Sequence, residues 1–259
     1  MTEALTEIRK NIIEMAHRSH ASHVGAALSV VDVLYVLYGK IVRIGKENIG
    51  DTLRDKVILS KAHSSSALYA VLAHFGLIPS EWLNRYYVNG GILPAHLDRT
   101  ISPAIDFSAG SLGHGLPAGI GMALSDPEHH IYVICGDGEC NEGSVWEAFM
   151  LLGHLKLKNL TVIVDFNGLQ AFGYTKDIIN QENLSERLRS FGLDACDIDG
   201  HNHNAIENAL KKTSDRTKAI VSHTIKGHGV SYMENQLLWH YKSPNDAQTE
   251  QAFKELENA

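Results

Sequence analysis

Long apolar runs are what this chain most lacks. No run approaches the roughly 18–20 apolar residues of a membrane span. The N-terminal MTEALTEIRKNIIEMAHR is mixed in charge, without the continuous apolar core of a signal peptide. Blocks of basic residues are missing too, and with a net charge of −7 the chain is not expected to bind nucleic acid. Cysteine is scarce: Cys135, Cys140 and Cys196 form no CxxC pair and are odd in number. They read as free thiols in a reducing compartment, so the expected location is cytoplasmic, with no membrane partner. What remains is ordinary for a globular protein, 44% hydrophobic and 20% charged over 259 residues, enough for a sizeable core. Length alone fits one large α/β domain or two small ones.

Periodicity supplies the elements. Leu5, Ile8, Ile12, Ile13, Met15 and Ala16 recur at helical spacing and predict an amphipathic helix over 4–18. A second helix, 26–38, is apolar on most of its surface and therefore expected to be buried. KVILS (Lys56–Ser60) reads as a central parallel strand, followed by a helix over 64–75 with Ser64–Ser66 as cap candidates. Another helix is expected to start at Pro79-Ser80-Glu81 with Ser80 capping it. Residues 88–108 read as a long loop holding His96, Asp98, Arg99 and Asp106, and long loops in compact domains are usually functional or disordered. Later come helices at 184–191 and 204–212, strands at 193–198 and 218–222, and a polar tail from Ser243 that reads as one surface helix. Strands alternating with helices predict an α/β fold: a doubly wound, mostly parallel sheet with helices on both faces.

The informative stretch is Ile131–Gln170. IYVIC stops at Gly136-Asp137-Gly138, a helix follows to about Leu155, and LTVIV then stops at Asp165-Phe166-Asn167. In open α/β sheets ligands bind in the crevice outside the carboxyl ends of the strands. Asp137 and Asn167 are thereby brought together there as two oxygen donors beside glycine N–H groups, an arrangement suited to a hard divalent cation carrying a phosphate or diphosphate. A Gly-Asp-Gly alone also fits a plain strand-end turn.

GDGECNEG, the helix ending GHLKL, and NLTVIVDFN together resemble the cofactor motif of thiamine-diphosphate enzymes, specifically the transketolase family. SHVGAALS, VILSKAHSSSALYAVL, LPAHLD, DFSAGSLGHGLPAGIGMAL and TIKGHGVS…WHYKSP extend the likeness, in family order, over almost all of residues 10–245. The resemblance implies a single thiamine-diphosphate-binding domain over residues 1–259, with 243–259 as a polar C-terminal tail. It implies that Asp137 and Asn167 bind Mg²⁺ (or Ca²⁺) with the carbonyl of Leu169, and that Gly136 and Gly138 approach the diphosphate. Gly110 and Leu112 would line the aminopyrimidine ring. His23, His63, His96 and His240 match the family's active-site histidines; His63 and His240 also bind cofactor, and Glu142 serves both cofactor and catalysis. Glu142 and Glu147 would face a subunit interface, though acids at a helix start are also stabilised by its dipole. Arg99, Lys226 and His23 are candidates for a distal phosphate or sulfonate on the substrate. Val24 and His114 depart from the family's usual Pro and Gln, which bears on sugar specificity.

Transketolase chemistry also needs a glutamate that, in the family, comes from a second, pyrimidine-binding domain. The resemblance therefore implies the N-terminal subunit of a split transketolase, inactive alone. Its C-terminal partner would carry that glutamate in an α₂β₂ assembly acting on sugars or sugar phosphates. Two other readings stay open: the α chain of a 2-oxo-acid dehydrogenase or deoxyxylulose-phosphate synthase-like enzyme, or a non-catalytic scaffold of the same fold.

Overall fold

The computed structural model describes residues 2–258. Its strands are β1 (Lys56–Leu59), β2 (Ile131–Gly136), β3 (Leu160–Phe166), β4 (Asp194–Asp199) and β5 (Lys218–His223). They form one five-stranded sheet in the order β1-β2-β3-β5-β4, every pair parallel. Each lies within a residue or two of its expected bounds.

Side chains alternate across a strand, and here both faces are covered. Val57, Leu59, Tyr132, Ile134, Ile163 and Ile220 point into one core with α1 (Glu3–Ser19), α2 (Val24–Val36), α3 (Ser65–His74), α8 (His203–Lys211) and α9 (Asp246–Glu257). Ile58, Val133, Cys135, Val162, Val164 and Val221 point the other way, into α4 (Gly115–Ser125), α5 (Gly143–Leu155) and α7 (Leu184–Ser190). Burial on both faces is why these strands read as unbroken apolar runs. The remaining helix, α6 (Thr175–Ile178), is a single turn within the loop that follows β3.

Several local expectations need correction. Ser64 stands at the cap position of α3, but its hydroxyl makes no cap bond and is buried without a partner; a 3₁₀ turn, Ala62–Ser64, precedes the helix instead. The segment after Pro79 is a 3₁₀ turn, Ser80–Arg85, without a side-chain cap. The polar tail is a helix, but not a purely surface one. Asn245 and Gln248 close a capping box at its start, and Thr249, Ala252 and Leu256 are buried against the N-terminal helix, where the Thr6 hydroxyl donates to the Leu256 carbonyl. One stretch, Val24–Ile41, is long and apolar enough to cross a membrane by length and composition, against expectation. It is the core helix α2 with its extension: 78% of the stretch is buried inside the fold, and a helix packed on nearly every side is apolar all round.

Candidate active site

A parallel sheet sends all its strand carboxyl ends to one edge, and the loops there enclose a cavity of about 500 Å³. Every residue singled out in the sequence for cofactor, metal or catalysis lines it: His23, His63, His96, Gly110, Leu112, Gly136, Asp137, Gly138, Glu142, Asn167, Leu169 and His240.

One wall is a histidine cluster. The His23 ring lies 5.2 Å from His63, 4.7 Å from His240 and 6.4 Å from His96, centroid to centroid. His23 precedes α2 in a left-handed backbone conformation (φ 70°), costly for a side chain with a Cβ and tolerated where the surroundings enforce it. Its N–H donates to the His240 carbonyl at 3.0 Å, which ties the first loop to the last. Burial, reinforced by His96 and the ammonium groups of Lys226 and Lys61, pushes His23 down to about 4. Burial and Lys226 push His240 to about 3, and burial with Lys61 holds His63 well below its ordinary value. These three rings are neutral at pH 7. His96 is exposed at the mouth.

Oxygen donors form the floor. Asp137 accepts the Gly138 N–H at 2.8 Å on one oxygen, and the Gly168 N–H at 2.7 Å and Thr175 hydroxyl at 2.9 Å on the other. The Asn167 side-chain oxygen accepts the Leu169 N–H at 3.1 Å. These bonds fold the β3 loop around Asp137, and Asp137, Asn167 and Leu169 all line the cavity. The Leu169 carbonyl accepts from the Lys226 ammonium at 2.7 Å and so already faces a positive charge. Burial, then the neighbouring Asp165 charge, holds the Asp137 carboxyl above its ordinary value. An all-oxygen donor set with excess buried acid fits a hard divalent cation.

Three charged residues of the site carry no role in the sequence reading. Lys61, at the end of β1, ion-pairs with Asp165 at the end of β3, both almost wholly buried. Burial alone would raise Asp165, but Lys61 and the hydroxyls of Ser29 and Thr224 outweigh it and keep the carboxyl low. Glu139 accepts from the Ser60 hydroxyl, from Gly113 N–H at 2.8 Å and from Gly136 N–H at 3.2 Å. It thereby joins two strand ends to the loop carrying Gly110 and Leu112. Gly113 has φ 81°, and a Cβ there would strike Ser144 and Glu142. The available signal was position: Lys61 and Asp165 both stand where a strand stops.

The candidates for a distal anion divide. Lys226 lines the same cavity, buried on its floor, 3.1 Å from His240 Nδ1. Arg99 is exposed and outside the cavity lining. Glu142 sits exposed on the cavity rim, whereas Glu147 and His114 line a separate groove of about 410 Å³ between α4 and α5, with Pro117, Ile120 and Leu151.

Comparison with known proteins agrees with this geometry. The family described as "Transketolase, thiamine diphosphate binding domain" matches residues 1–256. The 6-deoxy-6-sulfo-D-fructose transketolase subunit SqwG of Clostridium sp. (strain MSTE9) is 39% identical, over 96% of this chain and 94% of its own. An apulose-4-phosphate transketolase subunit of Phocaeicola vulgatus is 36% identical, over 96% and 90%. Transketolase from Campylobacter jejuni superposes with a TM-score of 0.89 at 26% identity, over 99% of this chain but 43% of its own. The chain thus spans nearly the full length of the subunits it matches and less than half of that transketolase. On sequence, fold and the residues gathered at the strand ends alike, it belongs to the transketolase family, as a thiamine diphosphate binding domain.

Proposed function

We propose that this chain is the diphosphate-binding, N-terminal subunit of a split transketolase, working with a C-terminal subunit that supplies the pyrimidine-binding domain and its glutamate. The observation that carries the reading is the convergence of all the motif residues on one cavity. When bound, thiamine diphosphate supplies the nucleophilic carbon and electron sink for moving a two-carbon ketol unit. Asp137, Asn167 and the Leu169 carbonyl would hold Mg²⁺ (or Ca²⁺). The Lys226 ammonium, held near 8 chiefly by burial and next by Lys61, and the backbone of Gly138 line the same cavity and would hold the diphosphate. Gly110 and Leu112, on the same lining, would flank the cofactor's ring.

The histidines handle the sugar. Neutral rings can donate at one nitrogen and accept at the other, as ketose hydroxyls require. His240 accepts from Lys226 at Nδ1, which leaves its Nε2–H as a donor toward the cavity. Glu142 at the rim is available to act across the boundary with the partner. Substrates are ketoses and aldoses bearing an anionic group; relatives are named for a sulfonated and a phosphorylated sugar.

Exposed apolar surface beside the site supports the partner. Phe172 on the cavity lining is 86% exposed, and Met150 and Leu151 on α5 are 60% and 44% exposed. Such surface marks interaction sites on a protein of this kind. The cytoplasm is the fitting compartment for three free thiols. The test is ketol transfer from a ketose phosphate, measured with this chain alone, with its partner, and against pyruvate turnover. Activity is expected only from the pair and only on the ketose. Full activity from the isolated chain would defeat the split, and turnover of pyruvate instead would defeat the reaction.

A further inference from the structure

Behind the cavity, away from its lining, lies a second cluster. Asp32 of α2, His201 before α8 and His228 after β5 place ligand-type atoms within 4.8 Å of one another. The hydrogen bonds argue against a metal there. His201 donates from Nδ1 to Asp32 at 2.8 Å, so its Nε2 carries the lone pair, and that lone pair accepts the backbone N–H of Ile225 at 2.8 Å. Asp32 also accepts from His203 Nε2 at 2.9 Å and from the Arg9 guanidinium at 2.6 Å. Burial opposes its charge, but these donors outweigh burial and keep the carboxyl well below its ordinary value. A cation would find the His201 lone pair taken and an arginine already on the carboxylate.

The arrangement serves a different end. A carboxylate fixing one ring nitrogen sets the tautomer, so that the other nitrogen acts only as an acceptor. Here the group accepted is a main-chain amide directly before Lys226. The same short segment is held at its other side by Gly227 N–H, which donates to Gly25 O at 2.9 Å beside His23. Between these anchors the Lys226 side chain runs to the Leu169 carbonyl and to His240. The His228 ring stacks on His201 at 3.6 Å and closes the outer side.

We propose that Asp32 and His201 are positioning residues of the active site, fixing Lys226 through the Ile225 amide; their effect on cofactor binding rests on the transketolase reading above, while their effect on Lys226 does not. Without the His201 acceptor the Ile225 amide is left unsatisfied or recruits water, and the segment carrying Lys226 loses its register. Asp32 acts one step further back, by holding the ring.

Histidine ring ¹⁵N spectra of the full chain read this directly. In the wild type His201 is expected as the Nδ1–H tautomer with Nε2 unprotonated. His201→Ala is expected to move the His240 Nδ1 signal, because Lys226 donates to that atom; His201→Gln, which keeps an acceptor, restores most of it. In a Lys226→Met background His201→Ala adds no further movement. Asp32→Asn, close in shape to the wild type, carries the same expectation should the alanine variant fail to fold. With the partner present, His201→Ala should weaken thiamine diphosphate binding about 10- to 100-fold, and much less in the Lys226→Met background. A folded variant whose His240 signal stays put, or equal loss of binding in both backgrounds, would overturn the proposal. A moved His240 signal with no cofactor binding by the wild-type pair would leave the positioning role standing and overturn the transketolase reading.

Discussion

At the scale of single residues, Asp137 is the most exposed to test. Three donors already converge on its carboxylate, so Asp137→Asn keeps shape while losing charge. In the complex with the partner, calorimetry should show metal-dependent thiamine diphosphate binding weakened more than about 100-fold, since even outer-shell changes around metals cost 10- to 100-fold. The histidines predict a pH effect. His23, His63 and His240 bind protons less readily folded than unfolded. Between about pH 6.5, where an unfolded histidine titrates, and pH 4 the unfolded chain therefore holds more protons, and stability falls as pH falls. Denaturant midpoints across that window should decline, and His63→Gln should flatten the decline by up to about 1.4 kcal/mol per pH unit. An unchanged slope in that variant would contradict a depressed, neutral His63. Asp137, Asn167 and the histidines were legible because each closes a recognisable apolar run or motif. Lys61 and Glu139 were not. Lys61 pairs with Asp165, 104 positions away, and Glu139 with Ser60, 79 positions away. No local pattern encodes such a pairing.

At the scale of elements, strands were read almost to the residue, whereas caps were not. A buried parallel strand announces itself by an uninterrupted apolar run, but a cap depends on which way one hydroxyl turns. Ser64 shows this: right residue, right place, no bond. The C-terminal helix shows the converse. Its sequence looks polar because only one narrow face is buried, and that face holds Leu256 completely out of solvent. Leu256→Ala should therefore cost about 2–5 kcal/mol, as core leucine truncations do, read as a lower denaturant midpoint at unchanged m-value. A cost under about 0.5 kcal/mol would mean that α9 is only loosely attached to α1.

For the whole molecule, the groove between α4 and α5 and the exposed apolar side chains beside it are where the proposed pairing with a second subunit can be tested. Leu151 lines that groove and is 44% exposed. Leu151→Arg should leave the thermal unfolding of the isolated chain nearly unchanged, as surface substitutions do. Titration against the C-terminal subunit should show affinity lowered about 30-fold or more, as for a residue central to an interface. Equal affinity would direct the search for the partner's footprint to another face. The fold class could be read from alternation along the chain, but this surface could not, because exposure is a property of the finished assembly.

One feature of the cavity acts in time as well as in space. The His23 N–H is held by the carbonyl of His240, so the first loop of the site is completed by a segment made long after it. Contacts of such long sequence separation form late and slowly. During synthesis the sheet edge can gather Asp137 and Asn167 well before His240 exists, yet the histidine wall must wait for it. A ligand that needs both walls of this cavity would then stabilise only the finished fold, by mass action on the native state alone. A chain that holds such a ligand is one in which the His23 and His240 loops have met.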